Sequence, residues 1–160
     1  MIFVTVGSMV PFDRLIRMMD GWSRAHPEAK VHAQIGKGEY VPQSMSWTRK
    51  VSPAEFESCV ENSQIIVSHA GMGTVITAMQ LGRPLVLVPR IAANGEHTTE
   101  HQRDTVKWLD GKPGIKIAET DDALQAAIQD LMKQGADGLG RLERVAPKNF
   151  LDRVRGALVS

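Results

Sequence analysis

Residues 65–89 read Ile65-Ile66-Val67-Ser68-His69-Ala70-Gly71-Met72-Gly73-Thr74-Val75-Ile76-Thr77-Ala78-Met79-Gln80-Leu81-Gly82-Arg83-Pro84-Leu85-Val86-Leu87-Val88-Pro89. The first apolar run predicts a buried strand over 65–68, the small residues 69–73 a tight turn, and 74–81 a helix. A second apolar run, Leu85–Val88, predicts another buried strand, which Pro89 ends. Two short buried strands joined by a helix make a β-α-β unit, with parallel strands and a right-handed crossover. In such sheets ligands lie beyond the carboxyl ends of the strands, where residues 69–74 stand. The same residues open a helix, whose unpaired N–H groups and positive dipole end suit an anion. Gly71 and Gly73 remove side chains that would hold a phosphate away. The competing reading of both glycines is a tight strand-to-helix turn with no ligand.

Upstream, residues 2–6 predict a first buried strand that runs into the turn Gly7-Ser8-Met9-Val10-Pro11. Phe12, Leu15, Ile16, Met19 and Trp22 recur at helical spacing within 12–25, and His26-Pro27 ends that helix. A second strand over 31–35 closes on Gly36-Lys37-Gly38, a loop covers 39–46, and 47–50 predicts a short third strand. Ser52-Pro53-Ala54-Glu55 is a strong helix start, with Ser at the cap, Pro first and Glu third, and the helix runs to about Asn62.

Downstream, a loop over 90–95 leads to a helix from near His97 through Val106 and Leu109, stopped by Asp110-Gly111-Lys112-Pro113-Gly114. A sixth strand over 115–118 precedes a helix over 123–133 capped by Thr120-Asp121-Asp122. Residues 135–140 read as a flexible connection, and Phe150, Leu151, Val154 and Leu158 recur at helical spacing near the end. The fold class is therefore α/β, a single Rossmann-like, doubly wound parallel sheet of about six strands. The expected division is a binding domain over 1–133 and a C-terminal connection with an amphipathic helix over 134–160.

At 160 residues one domain is expected, and 42% hydrophobic with 23% charged residues is ordinary for a globular protein. A net charge of +1 gives no reason to expect nucleic acid as a partner. No apolar run approaches the length of a membrane span, and the first residues are too short and uncharged for a signal peptide. Cys59 stands alone, which fits a reducing cytoplasm. A dinucleotide fingerprint fails, because Gly71-Met72-Gly73 follows the fourth strand and Ile76 holds the third glycine's place. His97-Thr98-Thr99-Glu100-His101 spells a zinc-protease pattern, and a zinc hydrolase using His97 and His101 is one alternative. No third ligand accompanies it, so no metal is expected. Trp22, Trp47 and Trp108 read as core or interface residues.

Three blocks occur in order: residues 68–74, then residues 81–89, then His101-Gln102. Together with Val4-Thr5-Val6-Gly7-Ser8 and Phe12-Asp13, they resemble the nucleotide-sugar half of GT-B glycosyltransferases, of the family 28 C-terminal-domain type. That family contains the catalytic subunit of the two-subunit GlcNAc transferase of N-glycan assembly, and bacterial relatives that act as paired subunits in exopolysaccharide synthesis. Gly95-Glu96-His97 and Glu100-His101-Gln102 are similar to the bacterial branch. The resemblance covers about residues 1–133.

The resemblance implies the C-terminal half of a GT-B fold and an inverting, metal-independent transferase that takes a sugar from a UDP-sugar. Gly7, Ser8, His69, Ala70, Gly71, Met72, Gly73 and Thr74 would surround the diphosphate, and the backbone near Lys50 and Val51 would meet the uracil. Arg90, Glu96, His101 and Gln102 would serve sugar, ribose or phosphate groups. Many relatives carry a ribose-binding Glu where Thr77 stands, so here that task passes to Glu96 or Gln102. His69 is the one candidate catalytic side chain, and the general base is expected on a partner. That partner is expected to be a membrane-attached, acceptor-binding subunit that recruits this chain to the inner face of the membrane, with a lipid-linked saccharide as acceptor. Alone, the chain is open to homodimer formation through the same face. The donor sugar stays open among glucose, glucuronic acid and GlcNAc. A non-catalytic, nucleotide-sugar-binding regulatory subunit is the other alternative.

Overall fold

Val, Ile and Leu fill the strands because a parallel sheet is covered on both faces. The computed structural model describes residues 1–96 and 101–138, the side chains of 101, 102 and 135–138 excepted. The elements are β1 (Ile2–Thr5), α1 (Asp13–Ala25), β2 (Val31–Gln34), β3 (Ser46–Thr48), α2 (Pro53–Glu61), β4 (Ile65–His69), α3 (Met72–Gln80), β5 (Leu85–Val88), α4 (His101–Leu109), β6 (Ile115–Ile117) and α5 (Asp121–Gly138), with a 3-10 turn at Ala92–Asn94. They form one six-stranded sheet in the order β3-β2-β1-β4-β5-β6, parallel at every pairing. Strand order reverses between β1 and β4, where Val4 stands beside Val67. That is the switch point at which such sheets open a crevice.

The pleat sends alternate side chains to opposite faces. Val4, Val67 and Val86 pack with Leu15, Ile16 and Met19 of α1 and Leu124, Ile128 and Leu131 of α5. Phe3, Ile66, Leu85 and Leu87 pack with Val60 of α2, Val75 and Met79 of α3 and Leu109 of α4. The doubly wound reading therefore holds, with helices on both faces. No described helix is long and apolar enough to cross a membrane.

Several boundaries differ from the sequence reading. β4 continues to His69 and α3 begins at Met72, because Gly71 takes an extended cap conformation (φ −82°, ψ 131°) and Gly73 is tolerated in the first helical turn. β3 is Ser46–Thr48, since its ladder is set by the pairing of His32 with Ser46 and Gln34 with Thr48. α5 continues to Gly138, past the glycine at 135 expected to break it. A single glycine costs a helix only about 1 kcal/mol, which an anchored helix can bear. Trp22 is buried, but Trp47 and Trp108 are surface residues, with Arg49 and Lys112 over their rings. His97 and the segment carrying Phe150, Leu151, Val154 and Leu158 lie outside the described residues.

Asp20, with its residue fully buried on α1, fixes the loop between β2 and β3. Its carboxylate accepts from Tyr40 (2.6 Å) and from the N–H groups of Gln43 (3.0 Å) and Ser44 (2.7 Å), with Arg24 at 3.6 Å. Burial pushes its pKa up, but these donors outweigh that effect and hold it below the ordinary value of 3.8. A carboxylate with a lowered folded pKa contributes stability above its unfolded pKa and loses it as pH falls through the folded value. Asp20→Ala should destabilise the fold by about 2–3 kcal/mol at pH 7, the scale of lost charge-assisted hydrogen bonds. In urea titrations, the difference from wild type should shrink as pH drops below 3.8. A pH-independent difference would contradict the ionised assignment.

Candidate functional site

At the carboxyl ends of β1, β2 and β4 lies a crevice of about 910 Å³, within the range of small-molecule sites. Of the residues expected at a site, Gly7, Ser8, Val51, His69, Gly71, Met72, Gly73, Thr74 and Arg90 line it. Ala70 is buried behind the turn, and Glu96 stands outside the lining. His101 begins α4, while the side chains of His101 and Gln102 are outside the description.

The chain leaves β1 through Gly7 at φ +77°, a left-handed conformation that suits glycine. A Cβ there would meet His69 Cε1 at 2.6 Å, and a Cβ on Gly71 would collide with His69 Nε2. The imidazole is thus lodged between the two turns, and Gly71 is required by His69 rather than by a ligand. Gly73 is different, because a Cβ there would meet nothing within 4 Å. Its bare backbone faces open crevice.

Two helices begin at this crevice, and only one has its amino end closed. Ser52 and Glu55 form a capping box on α2, with Glu55 N donating to Ser52 Oγ (3.2 Å) and Ser52 N to Glu55 Oε2 (2.6 Å). The Ser52 backbone and side chain hold the Glu55 carboxyl below its usual range. α3 has a glycine cap with no side-chain hydrogen bond and no acidic residue in its first turn. Its leading N–H groups and dipole are left for an anion. Among the described residues, none that lines the crevice is Asp or Glu. Val51, Pro53 and Phe56 give the β3–α2 side an apolar wall.

Several contributors were missed from sequence. Gln34 is 5% exposed at the end of β2. It accepts from Thr5 Oγ1 (2.7 Å) and donates to the carbonyls of Gly7 (3.2 Å) and Arg49 (3.0 Å). A polar residue closing a buried strand just before a Gly turn was its only signal. Lys37 and Phe56 also line the crevice, together with Thr77 and Lys50, which the sequence had already brought to notice.

Arg90 and Glu96 both make contacts within the protein. Arg90 is 3% exposed and donates to the carbonyls of Val6 (2.6 Å), Val10 (2.7 Å), Pro11 (2.7 Å) and Glu96 (3.2 Å). Burial pulls its pKa down to about 10, so it stays charged at neutral pH. Glu96 accepts from Arg14 Nε (2.8 Å) and Nη2 (3.1 Å) and from the N–H of Ile91 (2.8 Å). Arg14 also donates to the carbonyls of Pro89 (2.7 Å) and Glu119 (3.3 Å). Both residues thus lace loops together. Nothing in the sequence signals the Arg14–Glu96 pair, whose members are 82 positions apart. Among the described residues no group of three or more His, Cys, Asp or Glu could hold a metal.

Residues 1–154 match the family model described as the glycosyltransferase family 28 C-terminal domain. Among solved structures, the chain is similar to the glycotransferase of kitacinnamycin, with a TM-score of 0.63 and 20% identity over 97% of this chain and 39% of that one. SsfS6 from Streptomyces sp. SF2575, complexed with thymidine diphosphate, gives a TM-score of 0.59 and 18% identity over 99% of this chain and 41% of that one. ALG13 gives a TM-score of 0.63 and 16% identity over 96% of this chain and 93% of that one. The chain thus spans about two fifths of the first two and nearly the whole of the third. At these identities the likeness shows the fold, one Rossmann-like half of the GT-B architecture.

The two glycines of the central turn should separate in thermal unfolding. Gly73→Ala should melt at or above wild type, because alanine is favoured in a helix by up to about 1 kcal/mol. Gly71→Ala should cost roughly 1–3 kcal/mol as His69 is displaced. The reverse order would contradict this packing.

Proposed function

The chain belongs to the glycosyltransferase family 28 C-terminal domain family, and from that premise we propose that it is the donor-binding catalytic subunit of a two-component inverting glycosyltransferase. It transfers a hexose-type sugar from a UDP-sugar to a lipid-linked acceptor in exopolysaccharide synthesis. The observation that carries this reading is the uncapped start of α3, aimed into a crevice at the β1–β4 switch point that no Asp or Glu lines among the described residues. When the bond from C1 of the sugar to the β-phosphate oxygen breaks, its electron pair stays on the diphosphate. N–H groups already oriented at α3 meet that charge without reorganising. The acceptor oxygen bonds to C1 from the opposite face, and its proton passes to a base that we assign to the partner.

In this reading Gly7, Ser8, Met72, Gly73 and Thr74 surround the diphosphate, and His69 adds a side chain held between two turns. Val51 and Phe56 receive the base. Thr77, which lines the crevice, is the better candidate for the ribose, since Glu96 is tied to Arg14. Charge stabilisation by N–H groups needs no metal. The acceptor half is a second, membrane-attached subunit that recruits this chain from the cytoplasm. ALG13, matched over 93% of its chain, is a protein of similar extent to this sequence, whereas the kitacinnamycin enzyme is matched over 39%.

Calorimetric titration of the chain with UDP should give binding unchanged by EDTA and weakened at least about tenfold in Gly73→Val, whose branched side chain would fill the anion's approach. Loss of binding with EDTA would overturn metal independence. Full affinity in Gly73→Val would move the nucleotide away from α3. With the partner subunit added, sugar transfer should require this chain. Turnover by the partner alone would leave only a regulatory, non-catalytic role.

We propose residues 134–160 as the partner-docking segment, through Phe150, Leu151, Val154 and Leu158. The double variant Leu151→Asp, Val154→Asp should lose co-purification with the partner while keeping UDP affinity. Undiminished co-purification would sink this assignment.

A further inference from the structure

A dianionic diphosphate needs positive charge, and among the described residues the crevice offers three cationic side chains: Lys37, Lys50 and Arg90. Arg90 is buried with its guanidinium on four main-chain carbonyls, so it organises loops. Lys37 and Lys50 are both exposed. Their places in the sheet separate them. β2 stands two strands from β4, about 10 Å across the sheet, and β3 stands three strands away, about 14 Å.

The turn that carries Lys37 is held on every side. Gly36 turns at φ +62°, where a Cβ would meet Val6 Cγ2 at 3.1 Å and the Gly7 carbonyl at 3.6 Å. Gly36 N donates to the Arg49 carbonyl (3.0 Å), and Arg49 Nη1 donates back to the carbonyls of Gly36 (3.1 Å) and Gly38 (2.9 Å). A Cβ on Gly38 would collide with Asp13 Oδ1, and the other Asp13 oxygen accepts from Glu39 N (3.2 Å). The Lys37 turn, the Gly7 turn, the His69 ring and Gly71 therefore stand in contact, one after the next, ending at the open start of α3. Among the described residues, the Lys37 ammonium itself has no hydrogen bond or ion pair.

We propose that Lys37 is the side chain that brings mobile positive charge to the diphosphate, reaching over the Gly7–Ser8 turn to the anion at the start of α3. The proposal rests on the donor-binding reading above. A rigid turn carries a flexible four-carbon stem ending in a compact charge, which can follow a phosphate whose charge and position change on cleavage. Lys50 follows β3, beside Val51, one strand further from α3 than the Lys37 turn. The ordering reverses the sequence expectation, which gave Arg90 a ligand role and Lys37 none.

The test is calorimetry with UDP on the full chain, as wild type, Lys37→Ala, Lys37→Arg and Lys50→Ala, at two salt concentrations. Lys37→Ala should bind UDP about tenfold more weakly, the size of one lost charge-assisted contact, with a shallower salt dependence. Lys37→Arg should stay within about threefold of wild type, and Lys50→Ala should lose clearly less affinity than Lys37→Ala. Because Lys37 is exposed, its variants should melt like wild type, which separates lost charge from lost fold. UDP affinity unchanged in Lys37→Ala, or an equal loss in Lys50→Ala, would overturn the proposal while leaving the donor-binding reading standing. A wild-type chain that fails to bind UDP would overturn both.

Discussion

At the carboxyl edge of the sheet the ladder ends, and the loops that follow must find partners for their own carbonyls. One buried guanidinium does most of that work. Arg90 holds the carbonyls of Val6, Val10 and Pro11, so the loop after β1 is fastened to the end of β5 across the intervening β4. A lysine could not replace it, because an ammonium lacks the planar fork that meets several carbonyls at once. Arg14 repeats the device on the other side, joining Pro89, Glu96 and Glu119. Both guanidinium groups lie over the ring of Phe12, which is 1% exposed. The position of Gly7 and Ser8, and hence the shape of the crevice, depends on this lacing.

The same edge shows how local capping chemistry divides two similar helices. α2 starts with Ser52 and Glu55, which satisfy each other's N–H groups and put a negative charge on its positive end. α3 starts with Gly71, which offers neither. A helix end left open costs stability unless water or a ligand supplies the missing partner. Gly71 is there for another reason, since the His69 imidazole occupies the space a side chain would take. The arrangement that leaves α3 uncapped therefore also seats the His69 imidazole at the crevice.

The architecture was legible in the sequence because its signals are local. Runs such as Leu85–Val88 can hardly be anything but buried strands, and Ser52-Pro53-Ala54-Glu55 carries its own hydrogen bonds. The crevice followed from the same logic, since Gly7 and residues 69–74 close neighbouring parallel strands. Contacts made far along the chain were not legible. Glu96 looked like a ligand residue from its hydroxyl-binding chemistry and the family resemblance, while in the fold its carboxylate meets Arg14 on α1 and the N–H of Ile91. Gly71 and Gly73 looked alike because spacing cannot tell a glycine whose missing side chain makes room for a neighbouring ring from one that faces open space. α5 ran on because glycine weakens a helix without stopping it.

The electrostatics of the crevice follow from which charges are fixed and which are free. The buried cation, Arg90, is surrounded by carbonyl dipoles that absorb most of its field. What remains is the α3 dipole, which acts within a helical turn, and exposed lysines, whose field salt screens beyond about 10 Å. Fixed N–H groups orient an anion, whereas flexible lysines gather it. Both are weak in an open crevice, because water of high dielectric competes for each contact. A second wall over the crevice would exclude that water and strengthen every one of these interactions without moving a residue of this chain. The proposed division of the enzyme thus has a physical basis. In that proposal one half carries the dipoles and charges, and the half that covers it would make them strong enough to stabilise a departing diphosphate.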